Sequence, residues 1–193
     1  MTDPIRVIID QQQLDEIRNL IYSTRKGADT ALYRALNYGT RQGRKAAVDR
    51  MAAKANLTKA KIREQSPVFF ASVSRLEAQL RIKSKAFGIE EFKKTSISTT
   101  GKGVAFRIWV DGPRERYRHA FMAQMPGAKS EYVYERNLEH PAYNGRTPLK
   151  RKYGPSMSTV YENTPGVDEN VRTTAADKML AELSRQINLL IGI

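Results

Sequence analysis

An α+β fold is what the sequence predicts: long N-terminal helices, a central antiparallel β-sheet or partly closed barrel, and a C-terminal helix. Three observations predict it. Apolar residues recur with helical spacing from Leu14 to Met51, the period changes to two from Arg75, and a helical face returns near Met179.

The first helix is expected after Asp10, which with Gln13 has the spacing of a capping box, each side chain satisfying a backbone N–H. Leu14, Ile17, Leu20 and Ile21 then share one face, and Lys26–Gly27 interrupts them. A longer helix is expected from Ala28 to Ala55, with Ala28, Leu32, Ala35, Leu36, Gly39, Gly43, Ala46, Ala47 and Met51 along its inner stripe. Much of that stripe is small, and each interior glycine costs about 1 kcal/mol of helix propensity relative to alanine. Two readings stand. A neighbouring backbone approaches closely and offsets the cost, which makes Leu32, Ala35, Leu36, Gly39, Gly43 and Ala47 a candidate interface between subunits. Alternatively, the helix is kinked or divided near Gly39 and Gly43.

Thr58 can cap a short helix containing Ile62, and Pro67 forces an extended exit. Leu76, Ala78, Leu80 and Ile82 alternate with Glu77, Gln79, Arg81 and Lys83, the mark of a half-buried strand. A second strand is expected from Val104 to Val110 after a turn at Gly101–Lys102–Gly103, and a hairpin from Phe121–Met125 to Tyr132–Tyr134 around Pro126–Gly127. Residues 137–170 are rich in turn formers and read as a long loop or arm, a feature that usually carries a binding or assembly role. The last helix is expected from Thr174, capped with Asp177, with Met179, Leu180, Leu183, Ile187 and Leu190 on its apolar face. This divides the chain into an N-terminal helical region, 1–66, and a β-rich region, 67–193, sharing one continuous core.

A chain of 193 residues that is 40% hydrophobic can bury such a core. Its formal net charge of +13 is spread out: residues 1–66 hold 13 basic and 7 acidic side chains, and the remainder 20 and 13. Such a balance favours contact with phosphate backbones or with acidic protein surfaces, with equal weight on each. There are no cysteines and only His119 and His140, which removes thiol chemistry and histidine-rich metal centres. No apolar run is long enough to cross a bilayer, and Met1-Thr2-Asp3-Pro4 does not open a secretory signal.

No catalytic arrangement emerges either. Glu90–Glu91 are adjacent and so do not face one substrate, and they read as solvated charge. His119 beside Arg114–Arg118 could bind phosphate when protonated, but it reads rather as a structural or merely exposed histidine, and His140 beside Pro141 has no stronger claim. Gly101–Lys102–Gly103 lacks the phosphate-loop pattern, and Asp111 and Asp168 have no metal spacing. No cofactor and no enzymatic activity are expected. Aromatic residues interleave with basic ones around Tyr117 and from Arg146 to Tyr153, a pattern compatible with nucleic acid or protein contact.

Ala31–Tyr38, Lys59–Arg63, the strands after Arg75, Ala120–Phe121, Val133–Tyr134–Glu135–Arg136 and Lys152–Tyr153–Gly154–Pro155–Ser156 follow one another in an order that resembles the phage minor tail protein Z family of tail completion proteins. The resemblance covers about residues 28–190. It implies a structural role at the head-proximal end of a tail, beside the tail terminator and other tail or neck proteins, within the virion. It also implies a homo-oligomeric, hexameric ring. Lys150, Arg151, Lys152, Tyr153, Gly154, Pro155 and Ser156 are the expected partner- or DNA-facing residues, since consecutive cations resist burial. Non-sequence-specific nucleic-acid binding in genome packaging or protection is the alternative.

Overall fold

The computed structural model describes residues 5–7, 27–93, 95–97, 103–142 and 144–191. The helix expected after Asp10 and the Gly101–Lys102 part of the turn lie outside the described residues. Helices early and late in the chain with antiparallel strands between them make the expected α+β fold, and among the described residues no sheet closes into a barrel. The chain packs as two compact units, one from 1–50, 63–83 and 164–193, the other from 51–62 and 84–163. Neither follows the division at 66/67. The last helix joins the early residues, and the stretch after Met51 joins the strands.

The helical unit is built on α1, Ala28–Lys54, and α4, Val167–Ile191. Its sheet has the order β1–β3–β2, where β1 is Ile5–Val7, β2 Val68–Phe69 and β3 Ala78–Leu80. The period-two pattern survives, with Ala78, Leu80 and Ile82 buried and Arg81 and Lys83 exposed. Ala31, Leu32, Ala35, Leu36, Ala71, Ala78, Met179 and Leu183 form the core. Helix α1 runs unbroken through Gly39 and Gly43, which rules out the divided helix. A Cβ on Gly39 would stand 2.6 Å from the Ala175 carbonyl oxygen and 2.7 Å from Met179 Cβ, and one on Gly43 would stand 3.1 Å from Ala175 Cβ. The close approach is real, but α4 of the same chain makes it. Leu32, Ala35, Leu36 and Ala47 are likewise at most 1% exposed. The candidate subunit interface along this stripe is therefore corrected to an internal helix contact. Asn37 ties the sheet to α1: its Nδ2 donates to the Ala71 oxygen (3.0 Å) and its Oδ1 accepts from Ala71 N (2.7 Å).

Helix α4 begins seven residues before Thr174, so the Thr174–Asp177 cap is corrected. Gly166 takes a φ of +65°, available to glycine without a Cβ penalty, and Val167 N donates to the Thr164 oxygen. Asp168 and Glu169 then complement the positive end of the helix. The face it buries is Val171, Ala175, Met179 and Leu183, while Leu180 and Leu190 are exposed.

In the strand-rich unit, Ala86–Gly88 (β4) pairs with Tyr153–Ser156 (β11). Ser96–Ile97 (β5), Val104–Phe106 (β6) and Glu115–Tyr117 (β7) form one three-stranded sheet; Ala120–Ala123 (β8), Tyr132–Arg136 (β9) and Leu149–Arg151 (β10) form another. The expected hairpin is present, with Phe121 opposite Tyr134 and Gly127 at φ +78° in its turn. Ile89, Val104, Phe106, Ala120 and Val133 make the core. Strand β6 stops short of Val110 because Asn56 takes over: its Nδ2 donates to the Arg107 and Trp109 oxygens, and its backbone N donates to the Ile108 oxygen. The cap at Thr58 is observed, accepting from Lys61 N ahead of α2, Lys59–Glu64.

The expected arm is the largest departure. Residues 137–170 hold β10, β11, the helix Met157–Glu162 (α3) and the start of α4. The stretch before Leu149 stays irregular, and there the Asn144 side-chain oxygen accepts from Arg146 N and Thr147 N.

Candidate functional site

Strands β9, β10 and β11 place the tribasic run on a scaffold that its sequence neighbours do not reveal. Register sets Lys150 opposite Glu135 and Arg151 opposite Tyr134. Lys150 is exposed, but Arg151 and Lys152 are half-buried. The Arg151 guanidinium lies 3.7 Å from the centre of the Tyr132 ring and 5.0 Å from that of Tyr153, and it bonds to the Glu90 carboxylate. Glu90 also accepts from Val133 N at 3.3 Å. Lys152 Nζ bonds to Glu135 at 2.8 Å and sits 4.4 Å from the centre of the Tyr117 ring.

Electrostatics follow from that geometry. Burial pulls the Arg151 pKa down, but the hydrogen bond and charge of Glu90, with Tyr153 and Tyr132, outweigh it and hold it above its ordinary value. A guanidinium stacked on two rings and bonded to a carboxylate is fixed in place and already compensated. Two of the three expected partner-facing cations thus find their counter-charge within the chain. Glu90, expected as solvated surface charge, is the group that holds Arg151.

The residues after the run have structural roles. A Cβ on Gly154 would stand 2.7 Å from the Phe92 ring, so only glycine lets β11 lie there. Pro155 continues the strand, and Ser156 caps α3, its Oγ accepting from Thr159 N at 3.2 Å. Tyr153 is half exposed and remains the outward face of the motif. Glu91 pairs with Lys61, Asp111 with Lys54 and Asp168 with Arg172, while His119 and His140 are exposed.

Two surface features escaped the sequence reading. In the helical unit, Phe69, Phe70 and Val73 are about half exposed beside the outer strand β2, with Arg81 stacked on Phe69 and Arg41 on Phe70. Phe69–Phe70 next to Pro67 was a usable signal, because adjacent aromatics in a strand cannot both face the core. In the strand-rich unit, Lys93, Thr95, Ser96, Arg107 and Arg114 line an open cleft of about 400 Å³. They come from three stretches of the chain, at 93–96, 107 and 114, and no local pattern announces them.

Among the described residues no cluster of His, Cys, Asp and Glu is placed to hold a metal ion, and no helix is long and apolar enough to cross a membrane. No family model, curated protein or solved structure matches the chain.

Proposed function

We propose that this chain is a non-enzymatic structural subunit of a virus particle, a phage tail completion protein. In this reading it forms a homo-oligomeric ring at the head-proximal end of the tail and enables tail assembly and head–tail joining. The motif resemblance motivates the reading, and the observation that carries it is the aromatic surface of the helical unit. Phe69 ends β2, with Phe70 and Val73 just after it, and among the described residues that strand is hydrogen-bonded on one side only, in the order β1–β3–β2. Exposed apolar surface rimmed by polar groups marks a site of association, and an outer strand invites pairing.

The occupant is a second copy of the chain. Copies carrying a net charge of +13 repel each other at a distance, which favours an apolar contact, and the Arg81 and Arg41 guanidiniums are already stacked on the rings. When this patch meets a different surface of the next copy, the head-to-tail contact closes into a ring if the rotation per copy permits.

Salt separates self-association from docking of an acidic partner. Screening reduces repulsion between copies, so apolar assembly strengthens as salt rises, whereas an acidic partner is released. Native mass spectrometry and sedimentation at low and high salt are expected to show a closed oligomer favoured by salt, and a monomer for Phe69→Ser/Phe70→Ser. A monomer at every salt concentration that also fails to join purified tails with terminator protein present would sink the proposal. So would a double variant that assembles like the parent.

A further inference from the structure

The cleft at one end of the β5–β6–β7 sheet presents Lys93, Arg107 and Arg114 with the hydroxyl-bearing residues Thr95 and Ser96. Its shape follows from strand register. Phe106 pairs with Glu115 at the end of the antiparallel β6–β7 ladder, and Arg107 and Arg114 are the next residues beyond that last pair, both lining the cleft. Like charges gathered at one site repel one another. Elsewhere in this unit Arg151 and Lys152 are matched by Glu90 and Glu135. Here, among the described residues, no ion pair joins Lys93, Arg107 or Arg114 to a carboxylate.

The local bonding tightens the cluster without neutralising it. Arg114 donates to Ser96 Oγ at 2.8 Å, and Thr95 Oγ1 donates to the Ile89 oxygen at 2.6 Å. Asn56 Nδ2 donates to the Arg107 carbonyl and so holds its backbone, and among the described residues the Arg107 guanidinium makes no hydrogen bond or ion pair. The result is an open pocket at the ends of β5, β6 and β7 whose cations have no carboxylate partner among the described residues, with an acceptor-rich ligand as the missing counter-charge.

We propose that this cleft binds the phosphodiester backbone of a nucleic acid, without reading its sequence. Guanidinium forks match phosphate oxygens, and among the described residues no aromatic ring lines the cleft on which a base would stack. An open cleft lets a strand run through, and the chain-wide charge of +13 supplies the long-range attraction. The inference stands apart from ring assembly: it concerns the strand-rich unit and can be tested on the monomer.

The test is fluorescence anisotropy of a labelled mixed-sequence DNA duplex over a potassium chloride series. The parent is compared with Lys93→Gln/Arg107→Gln/Arg114→Gln and with a charge-matched control, Lys85→Gln/Lys129→Gln/Arg146→Gln, whose side chains lie elsewhere in the same unit. Each phosphate contact contributes about 0.9 to the slope of log affinity against log salt, so the cleft variant is expected to lose about one to two in slope. At low salt its affinity is expected to fall about tenfold or more, with the control close to the parent. Single Lys93→Gln keeps the question answerable if the triple variant misfolds by circular dichroism, because Lys93 is exposed. It is expected to shift the slope in the same direction. Equal losses in cleft and control variants, or no DNA binding by the parent at low salt, overturn the proposal. Displacement of DNA by inorganic phosphate at constant ionic strength also overturns it, in favour of a small-anion site.

Discussion

In the helical unit two residues without a side chain, Gly39 and Gly43, let α1 lie close against Val171, Ala175 and Met179. In the strand-rich unit, Arg151 and Lys152, among the longest side chains, are laid over tyrosines and pinned by glutamates. One unit is fitted by shape and the other by charge. Their surfaces differ in the same sense: the first exposes Phe69, Phe70, Val73, Leu180 and Leu189, and the second holds the basic cleft. Shape-fitted contacts tolerate salt and fail on added volume, while charge-fitted contacts tolerate small changes of shape and fail when a partner is removed.

The largest expected effect is steric. Gly39→Leu drives a side chain into the Ala175 carbonyl and Met179, and should cost about 3 kcal/mol, the upper end for overpacking. Gly43→Ala meets a methyl group at 3.1 Å and gains about 1 kcal/mol of helix propensity, so it should be close to neutral. Urea unfolding followed by circular dichroism separates them, and equal losses at both sites would break the shape argument.

Next is the removal of a counter-charge. Glu90→Ala strands the half-buried Arg151 guanidinium and leaves Val133 N without its acceptor, for a loss of about 2–3 kcal/mol. Lys150 is the exposed first cation of the same run, and Lys150→Gln should stay within about 0.5 kcal/mol of the parent. The same unfolding measurement decides, and comparable losses would mean that the three cations act alike after all.

The smallest effect is a charge contact within the shape-fitted unit. Hydrogen bonds from Arg185 and Gln186 hold the Glu182 carboxyl down at about 2, from an ordinary value of 4.5. A depressed carboxylate stabilises the fold above its unfolded pKa and loses that contribution as pH falls towards the folded one. Glu182→Gln should therefore be slightly less stable than the parent near neutral pH, with the gap closing between about 4.5 and 2. Solvent screening at exposed Arg185 keeps the gap small. Urea midpoints through that window give the readout, and a gap that widens on acidification would reverse the assignment.

Legibility in the sequence followed the same divide. Helix α1 and the Ala78–Leu80 strand were readable because a period of hydrophobic residues is local. The start of α4 was readable too, in the run Val167, Val171, Ala175, Met179 and Leu183, but Thr174 and Asp177 imitated a cap. The strands after Leu149 were hidden because they are short and their partners, β9 and β4, lie elsewhere in the chain. For the candidate site, a cation's exposure depends on where its carboxylate is. Glu90 is 61 residues from Arg151, a separation no local pattern spans.

The pairing of α1 with α4 has a consequence for synthesis. Arg50 Nε donates to the Pro165 oxygen across 115 residues, and the cover for the stripe of Leu32, Leu36 and Gly39 comes later still. At about 5–20 residues per second, that face emerges from the ribosome well before its cover is translated. Nascent chains halted ahead of Val167 carry an unsheathed helix that chaperones and proteases can recognise. Synthesis of α4 therefore acts as a checkpoint, separating chains whose α1 stripe is covered from those halted before it.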